Sequence, residues 1–177
     1  MKGERKNIRL SKWDYSSEGV YFITVCCCNR SLYLDSINNK NKVILSGIGQ
    51  IAAQFWLEIP SHFPHIKIDK FVIMPNHVHG ILFLDYSLTG KYERVAKNIK
   101  YRSINKFSNP VKNSISIIIN QYKSSVKRWC NQNGYEYFQW QPRFYDQILR
   151  NEKSIDAIRQ YINTNPRNWI DDDLYNS

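Results

Sequence analysis

Two apolar runs separated by a proline and an asparagine constrain the fold of this chain more than any other feature. Residues 66–74 read IKIDKFVIM and residues 77–84 read HVHGILFL, with Pro75 and Asn76 between them. Runs of this length that are rich in β-branched and aromatic residues are typical of strands, and a proline followed by an asparagine is typical of a turn. The sequence therefore predicts a β-hairpin over 66–84.

The rest of the chain alternates between strand and helix patterns. Its apolar pattern predicts a buried strand over 20–28 and a further strand in the aromatic segment YEYFQW. Helical periodicity predicts a helix over 47–59 that ends at Pro60, and a helix over 114–130. A last helix is predicted over 152–164, with Asn151 or Ser154 as its cap and Asn165-Pro166 at its end. The order strand–helix–strand–strand–helix–strand matches the ferredoxin-like split βαβ arrangement. We therefore expect an α+β fold with an antiparallel sheet and one extra C-terminal helix.

The distribution of charge favours a polyanionic partner. The 177 residues carry 25 Lys and Arg against 15 Asp and Glu, a formal net charge of +10, and this length predicts a single domain over 1–177. The excess lies in residues 1–12 of a basic N-terminal arm (1–17) and in residues 91–112 of a basic insertion (86–112), while a short acidic tail (171–177) ends the chain. Two basic segments on a neutral body are typical of proteins that bind polyanions, although solvated lysines that only maintain solubility are the alternative.

The apolar segments and the cysteines predict a cytoplasmic protein with no membrane partner. No window approaches the ~18 consecutive apolar residues that span a bilayer, and the first residues lack the apolar core of a secretory signal. Three of the four cysteines are consecutive, at 26–28, and the fourth is Cys130, which does not match the spacing of a metal knuckle. We expect free thiols that serve as small apolar core residues.

His77 and His79 are separated by a single hydrophobic residue. Because side chains alternate between the faces of a strand, both imidazoles are expected on one face. Two imidazoles on one face can hold one divalent cation and leave coordination positions open for substrate oxygens. Solvated histidines on an exposed strand face are the alternative, which spacing alone does not exclude.

Tyr161 and Asn165 lie four residues apart on the last predicted helix, and hence on one of its faces. An amide oxygen is a suitable ligand for a hard cation, and a phenol beside a cation is held nearer to its phenolate form. The alternative is structural, with Tyr161 packed beside isoleucines of the helix and Asn165 acting as a cap before Pro166.

Two of these motifs together resemble the single-tyrosine HUH transposases. The run VIMPNHVHGILFL at 72–84 is similar to the His-hydrophobic-His motif of that family. The run FQWQPRFYDQILRNEKSIDAIRQYINTNPRNW at 138–169 is similar to its second signature, in which YIxxNP ends the helix that carries the nucleophilic tyrosine. The resemblance spans about 18–170, and within the family it is strongest to the REP-associated tyrosine transposases, which are relatives of the insertion-sequence single-strand transposases.

This resemblance implies a metal-dependent single-stranded DNA endonuclease and strand transferase, associated with the nucleoid. Tyr161 would attack the scissile phosphate of single-stranded or hairpin DNA, leaving a covalent 5′-phosphotyrosine and a free 3′-hydroxyl. His77 and His79 would bind Mg²⁺ or Mn²⁺, and Asn165 stands where the family places a third polar ligand. Relatives act either as dimers or alone, so both a monomer and a homodimer are compatible with the sequence.

Candidate contacts to DNA lie on the predicted helix 114–130 and in the basic insertion. Six basic side chains are predicted to contact phosphates: Lys97, Lys100, Arg102, Lys123, Lys127 and Arg128. Three aromatic side chains, Trp140, Phe144 and Tyr145, could stack on bases or pack in the core.

Three other functions remain compatible with the residues. The first is a domesticated protein that binds hairpin nucleic acid without catalysis, which the intact His77, His79, Tyr161 and Asn165 disfavour. The second is a relaxase or replication-initiator nuclease, which would usually carry further domains or a second tyrosine in the active helix. The third is a metal-dependent RNase, which competition between DNA and RNA hairpins would distinguish.

Overall fold

The computed structural model describes residues 15–37, 43–89 and 114–175. The strands are β1 (Gly19–Cys26), β2 (Asp35–Ile37), β3 (Val43–Leu45), β4 (Ile66–Met74), β5 (His77–Leu84) and β6 (Tyr145–Leu149). The helices are α1 (Gly47–Leu57), α2 (Ile59–His62), α3 (Ile115–Gln132) and α4 (Glu152–Thr164), with 3₁₀ helices at Cys28–Arg30, Tyr86–Thr89 and Asn165–Asp171. Most of the N-terminal arm and of the basic insertion, including Lys97, Lys100 and Arg102, lies outside the described residues.

Four of these strands form one antiparallel sheet in the order β4-β5-β1-β6. The predicted hairpin is present as β4 and β5, joined by Pro75 and Asn76. Taken in chain order, the two central strands are the first and third of the four, as in the ferredoxin-like arrangement. The α+β fold class is therefore confirmed, and β2 with β3 adds a small separate ribbon that the sequence did not predict.

The two faces of this sheet carry different layers of helix. Tyr21, Ile23 and Val25 of β1 face a core built with α1 and α3, whereas Val20 and Phe22 face the opposite side with α4. This alternation follows from the side-chain period of two along a strand. Because β1 and β5 are both central, a residue on the α4 face of either strand is enclosed on several sides.

Gly80 allows α1 to pack closely against β5. A side chain at this position would collide with the ring of Trp56, which is fully buried in α1. The glycine thus places α1 directly behind the strand that carries both histidines, on the face opposite to their side chains.

The prediction of a strand in the segment YEYFQW is wrong. Within it only Trp140 pairs, in an isolated bridge with Cys27, and the fourth strand of the sheet follows later at Tyr145–Leu149. The reason is that lysines of α3 bind the carbonyl oxygens of this stretch. Lys127 Nζ donates to the carbonyls of Glu136 and Phe138, at 2.8 and 2.7 Å, so these oxygens are taken by side chains.

Two prolines behave differently from the prediction. Pro60 does not end the helical conformation, because it lies in the first turn of the next helix, α2. In the first turn of a helix the backbone N–H has no partner within the helix, so the N–H that proline lacks costs no hydrogen bond. The helix α4 ends at Thr164 as predicted, but Asn165 keeps a helical φ of −52° although Pro166 follows. The chain continues directly into the 3₁₀ helix Asn165–Asp171.

The state of the cysteines and the length of the helices can be compared with the sequence. All four cysteines are free thiols, of which Cys26, Cys27 and Cys130 are buried and Cys28 is half-buried. Across the three described stretches of chain, no helix combines the length and the apolar character that crossing a membrane requires.

Asp35 in β2 is expected to lower the stability of the protein at neutral and alkaline pH. Its side chain is 6% exposed, neither carboxylate oxygen has a hydrogen-bond partner, and burial raises its pKa to about 7. The free carboxyl in the unfolded chain ionises near pH 3.8. Between these values the folded state binds the extra proton, so the free energy of unfolding falls as the pH rises from about 4 to 7.

Asp35→Asn removes this ionisation. In urea denaturation, we expect the gain in unfolding free energy of the variant over the wild type to be larger at pH 8 than near pH 4 by about 4 kcal/mol. A stability difference of the same size at both pH values would show that ionisation of the Asp35 carboxylate does not destabilise the folded state.

Candidate active site

The two histidines of β5 lie side by side on the face that α4 covers. Their ring centroids are 4.3 Å apart, and His77 and His79 are 0% and 3% exposed. Both side chains lie on one face of the sheet, as the spacing predicts. Their burial excludes the alternative of solvated histidines on an exposed strand face. Paired positions on β1 explain the enclosure, since Cys26 lies opposite His77 and Thr24 lies opposite His79.

Asn76 fixes the protonation pattern of His77. The amide nitrogen of Asn76 donates to the backbone carbonyls of Arg30 and Leu174, at 3.2 and 2.7 Å. Its Oδ1 therefore faces His77 Nδ1, 2.7 Å away, and because an amide oxygen only accepts, Nδ1 of the neutral ring carries the hydrogen. The lone pair is left on His77 Nε2, a buried atom with no hydrogen-bond partner. A histidine held by such an outer hydrogen bond is typical of metal ligands.

His79 connects the sheet to Tyr161. Its Nδ1 lies 2.8 Å from the hydroxyl of Thr24, and its Nε2 lies 3.2 Å from the hydroxyl of Tyr161. The ring of Phe22 packs against both His79 and Tyr161, with centroid distances of 5.1 and 6.1 Å. One chain thus supplies the tyrosine and the histidines of the site together.

The helix α4 places Tyr161 through a cap, an apolar stripe and an ion pair. Asn151 and Ser154 form a capping box at its start, and Ile155 and Ile162 are buried against the sheet. Arg159 Nε donates to Asp69 of β4 at 2.6 Å. The hydroxyl of Tyr161 is thereby directed at the histidines while 39% of its side chain stays exposed to solvent.

The segment after α4 adds two oxygen-bearing side chains to the site. Asn165 is 2% exposed, and its amide nitrogen donates to Asp172 Oδ2 at 2.8 Å, while its Oδ1 has no hydrogen-bond partner. Tyr161 also donates to Asp172 Oδ2, at 3.2 Å. The helical conformation of Asn165 before proline is what turns this amide inward.

Burial dominates the electrostatics of the site. It lowers the pKa of His77 well below its usual value, with help from His79, and lowers that of His79 to about 4. Burial, and after it the charge of Asp172, raises the pKa of Tyr161 to about 12. At neutral pH the site therefore contains two neutral imidazoles, which can accept protons or bind cations, and a protonated phenol.

These side chains fit a divalent cation. Ligand atoms of His77, His79 and Asp172 lie within 4.8 Å of one another, and no other such cluster of three occurs among the described residues. His77 Nε2 and Asn165 Oδ1 are buried lone-pair donors without a hydrogen-bond partner. Such unpartnered atoms destabilise the folded state unless a cation binds them. Imidazole with carboxylate and amide oxygen is a donor set that suits Mn²⁺ and accepts Mg²⁺.

The low pKa of His79 predicts an acid-sensitive fold in the presence of a chelator. The unfolded histidine takes up a proton near pH 6.5 but the folded one only near pH 4, so the free energy of unfolding falls as the pH falls between these values. The contribution reaches about 3 kcal/mol at pH 4. In urea denaturation, His79→Gln should flatten this decline, with His62→Gln, at an exposed histidine, as the control for the loss of an imidazole. An equally steep decline in His79→Gln would contradict this assignment.

Comparison with known proteins places this geometry in context. No protein-family model matches the chain. A protein of Haemophilus influenzae, described as an uncharacterized protein, is 37% identical over 171 residues, which cover 97% of this chain and 93% of that protein. The chain belongs to the same family as this protein.

A solved structure shares the fold of this chain. The REP-associated tyrosine transposase, determined bound to a REP hairpin, matches over 91% of this chain and 74% of its own, with a TM-score of 0.56 at 19% identity. The chain has a transposase fold. The resemblance that the two motifs indicated is confirmed as a structural relationship.

Within this transposase fold, the structure brings together four residues that the sequence predicted: His77, His79, Tyr161 and Asn165. It places Lys123 and Lys127 elsewhere, on α3, where two of the three N–H donors of each ammonium group bind backbone carbonyls. Arg128 is exposed on the same helix. Contacts of these three residues with DNA stay a prediction.

Sequence reasoning missed Asn76 and Asp172. The sequence pattern predicts only a turn role for Asn76, although its position directly before His77 is the signal that indicates an outer hydrogen bond. Asp172 lies in the acidic tail, and nothing in the pattern DDD distinguishes it from its neighbours. Only the path of the chain after α4 identifies it.

Proposed function

We propose that this protein is a metal-dependent endonuclease and strand transferase that acts on single-stranded, hairpin-forming DNA through Tyr161. The observation that carries the proposal is the distance of 3.2 Å between the hydroxyl of Tyr161 and Nε2 of His79, beside the unpartnered Nε2 of His77. A partly exposed phenol next to convergent cation ligands suits nucleophilic attack on a phosphodiester.

The structural relationship supports DNA as the substrate. The related transposase was determined bound to a REP hairpin. The formal charge of +10 on this chain agrees with a nucleic-acid partner. Lys97, Lys100 and Arg102 in the basic insertion, together with Lys123, Lys127 and Arg128, are our candidates for phosphate contacts that determine affinity.

In the proposed reaction the phenolic oxygen of Tyr161 attacks phosphorus, the bond from phosphorus to the 3′-oxygen breaks, and the DNA retains a free 3′-hydroxyl. Because the lone pair of His79 Nε2 would be held by the cation, the phenolic proton passes to Asp172, whose Oδ2 already accepts the hydrogen bond of Tyr161. The leaving 3′-oxygen takes up a proton from solvent. The 5′-phosphate is left on Tyr161, and attack by a 3′-hydroxyl reverses the step without a further energy source. This conservation of the bond allows strand transfer as well as cleavage.

His77, His79, Asn165 and Asp172 would hold the cation. When bound, Mg²⁺ or Mn²⁺ supplies a Lewis acid that polarises the phosphate and stabilises charge in the transition state. The chain's own residues orient and protect the site: Asn76 keeps His77 in the required tautomer, Thr24 holds the ring of His79, and Phe22 shields the tyrosine from one side.

Covalent capture of labelled oligonucleotides tests this function. Wild-type protein is mixed with a hairpin oligonucleotide labelled at either end, with Mn²⁺, with Mg²⁺ or with a chelator. We expect a denaturation-resistant adduct that retains the 3′-end label, because the tyrosine keeps the 5′-phosphate of the downstream fragment, and no adduct with the chelator. Binding without any adduct would favour a non-catalytic hairpin-binding protein, and preference for an RNA hairpin would favour an RNase.

A further inference from the structure

The turn that follows β1 holds an arginine in an unfavourable backbone conformation beside the site. Asn29 and Arg30 have φ angles of 53° and 54°, in the left-handed region. For arginine this region costs roughly 1–2 kcal/mol, and such residues occur most often where function requires them. The surroundings hold the turn: Cys28 N–H donates to the carbonyl of Gln139 at 2.8 Å, and the carbonyl of Arg30 accepts from Asn76 at 3.2 Å.

This conformation places the arginine next to the histidines. Through Asn76, the backbone of Arg30 is one residue removed from His77. The guanidinium of Arg30 reaches the segment that carries Asp172, because its Nη1 donates to the backbone carbonyl of Asp173, the next residue. The strained turn and the site are therefore one structural unit.

The guanidinium of Arg30 has no anionic partner within residues 15–37, 43–89 and 114–175, where the ion pairs found all involve Arg159. It is exposed, and its Nη1 donates one hydrogen bond, of 3.2 Å, to the backbone carbonyl of Asp173. This carbonyl accepts from only one of the five N–H donors of the guanidinium. Because the carbonyl is uncharged, it does not neutralise the positive charge. A phosphate accepts two parallel hydrogen bonds from the planar fork and neutralises it.

We propose that Arg30 binds a backbone phosphate of the DNA strand next to the phosphate that Tyr161 attacks. This inference rests on the proposed function, because it takes the same strand as its ligand. Arg30 would thereby fix the register of the strand relative to Tyr161. The strain of the turn serves to point the arginine toward the substrate.

Binding of hairpin oligonucleotides in which single phosphates are replaced by neutral methylphosphonates tests this proposal. Measurements use Tyr161→Phe protein with a chelator, so that they do not depend on the covalent step. In an Arg30→Gly variant we expect about 10-fold weaker binding and a salt slope that is smaller by about 0.7. One methylphosphonate that weakens binding by the parent protein should have no further effect in this variant, and Arg30→Lys should restore part of the affinity.

Glycine also separates the binding role from a structural one. Because glycine adopts the left-handed region without strain, Arg30→Gly should keep a Tm at least equal to that of the parent protein while binding is lost. Arg150→Gln is the control for charge, since Arg150 is exposed and follows Leu149, at the end of the sheet away from His77. We expect it to keep the methylphosphonate profile of the parent protein.

An Arg30→Gly variant with the unchanged methylphosphonate profile would overturn the proposal, as would a lowered Tm that accounts for the weaker binding. If that profile is unchanged but wild-type protein still forms the adduct, only the role of Arg30 fails. If the profile changes as expected but no adduct forms, the catalytic function fails and the phosphate contact stands.

Discussion

Tyr161→Phe is expected to abolish the covalent adduct between the protein and hairpin DNA while leaving the affinity for that DNA nearly unchanged. The substitution removes only the hydroxyl, which is the proposed nucleophile and lies 3.2 Å from both His79 Nε2 and Asp172 Oδ2. The aromatic ring can still pack against Phe22. We expect adduct formation, followed on denaturing gels, to fall by at least about 10³-fold, since no other group on α4 can replace the phenol.

Tyr137→Phe is the matched control for this experiment. Tyr137 is also an exposed tyrosine, at 58%, and its ring packs against Tyr33 and Tyr135. The control should form the adduct at the wild-type rate. Adduct formation by Tyr161→Phe at more than a few per cent of that rate would show that Tyr161 is not the nucleophile.

His77→Ala is expected to lower the affinity for Mn²⁺ by more than about 100-fold. The basis is the tautomer of this ring: Asn76 occupies Nδ1, and the lone pair of the buried Nε2 has no other partner. Loss of an outer hydrogen bond typically costs 10–100-fold in metal affinity, so Asn76→Ala should have a smaller effect than loss of the ligand itself. Titration calorimetry or the electron paramagnetic resonance of free Mn²⁺ measures both.

His62→Ala at an exposed histidine controls for the general loss of an imidazole. Equal Mn²⁺ affinity in His77→Ala and wild-type protein would exclude His77 as a ligand. Because a cavity at a fully buried position can unfold the protein, the unfolding curve of each variant is recorded first. Asn76→Ala then provides a second estimate from a position outside the ligand set.

The sequence predicted those parts of the fold whose signals are local. The hairpin over 66–84 follows from two apolar runs and a turn. The helix α4 begins directly after Asn151, as predicted, and both of its predicted capping residues, Asn151 and Ser154, take part in the capping box. The shared face of His77 and His79 follows from the strand period alone. Each of these features depends on residues that are close together in the sequence, so a local sequence pattern can predict it.

The remaining features depend on residues that are distant in sequence. The aromatic segment YEYFQW has the composition of a strand, but Lys123 and Lys127 of α3 bind carbonyls in and just after it. The burial of both histidines requires β1 and α4 on either side of them. Asp172 joins the site only because a 3₁₀ helix carries the chain back over α4. No local pattern contains this information.

Mass spectrometry of the covalent adduct tests the central claim most directly. Trypsin cleaves after Arg159 and Arg167, which isolates residues 160–167 as a peptide whose only tyrosine is Tyr161. After nuclease digestion of the DNA, we predict a 5′-linked nucleotide on this peptide and on Tyr161 within it. A nucleotide found instead on the peptide that contains Tyr145, which is 41% exposed and paired with Thr24 beside the site, would contradict the proposed mechanism.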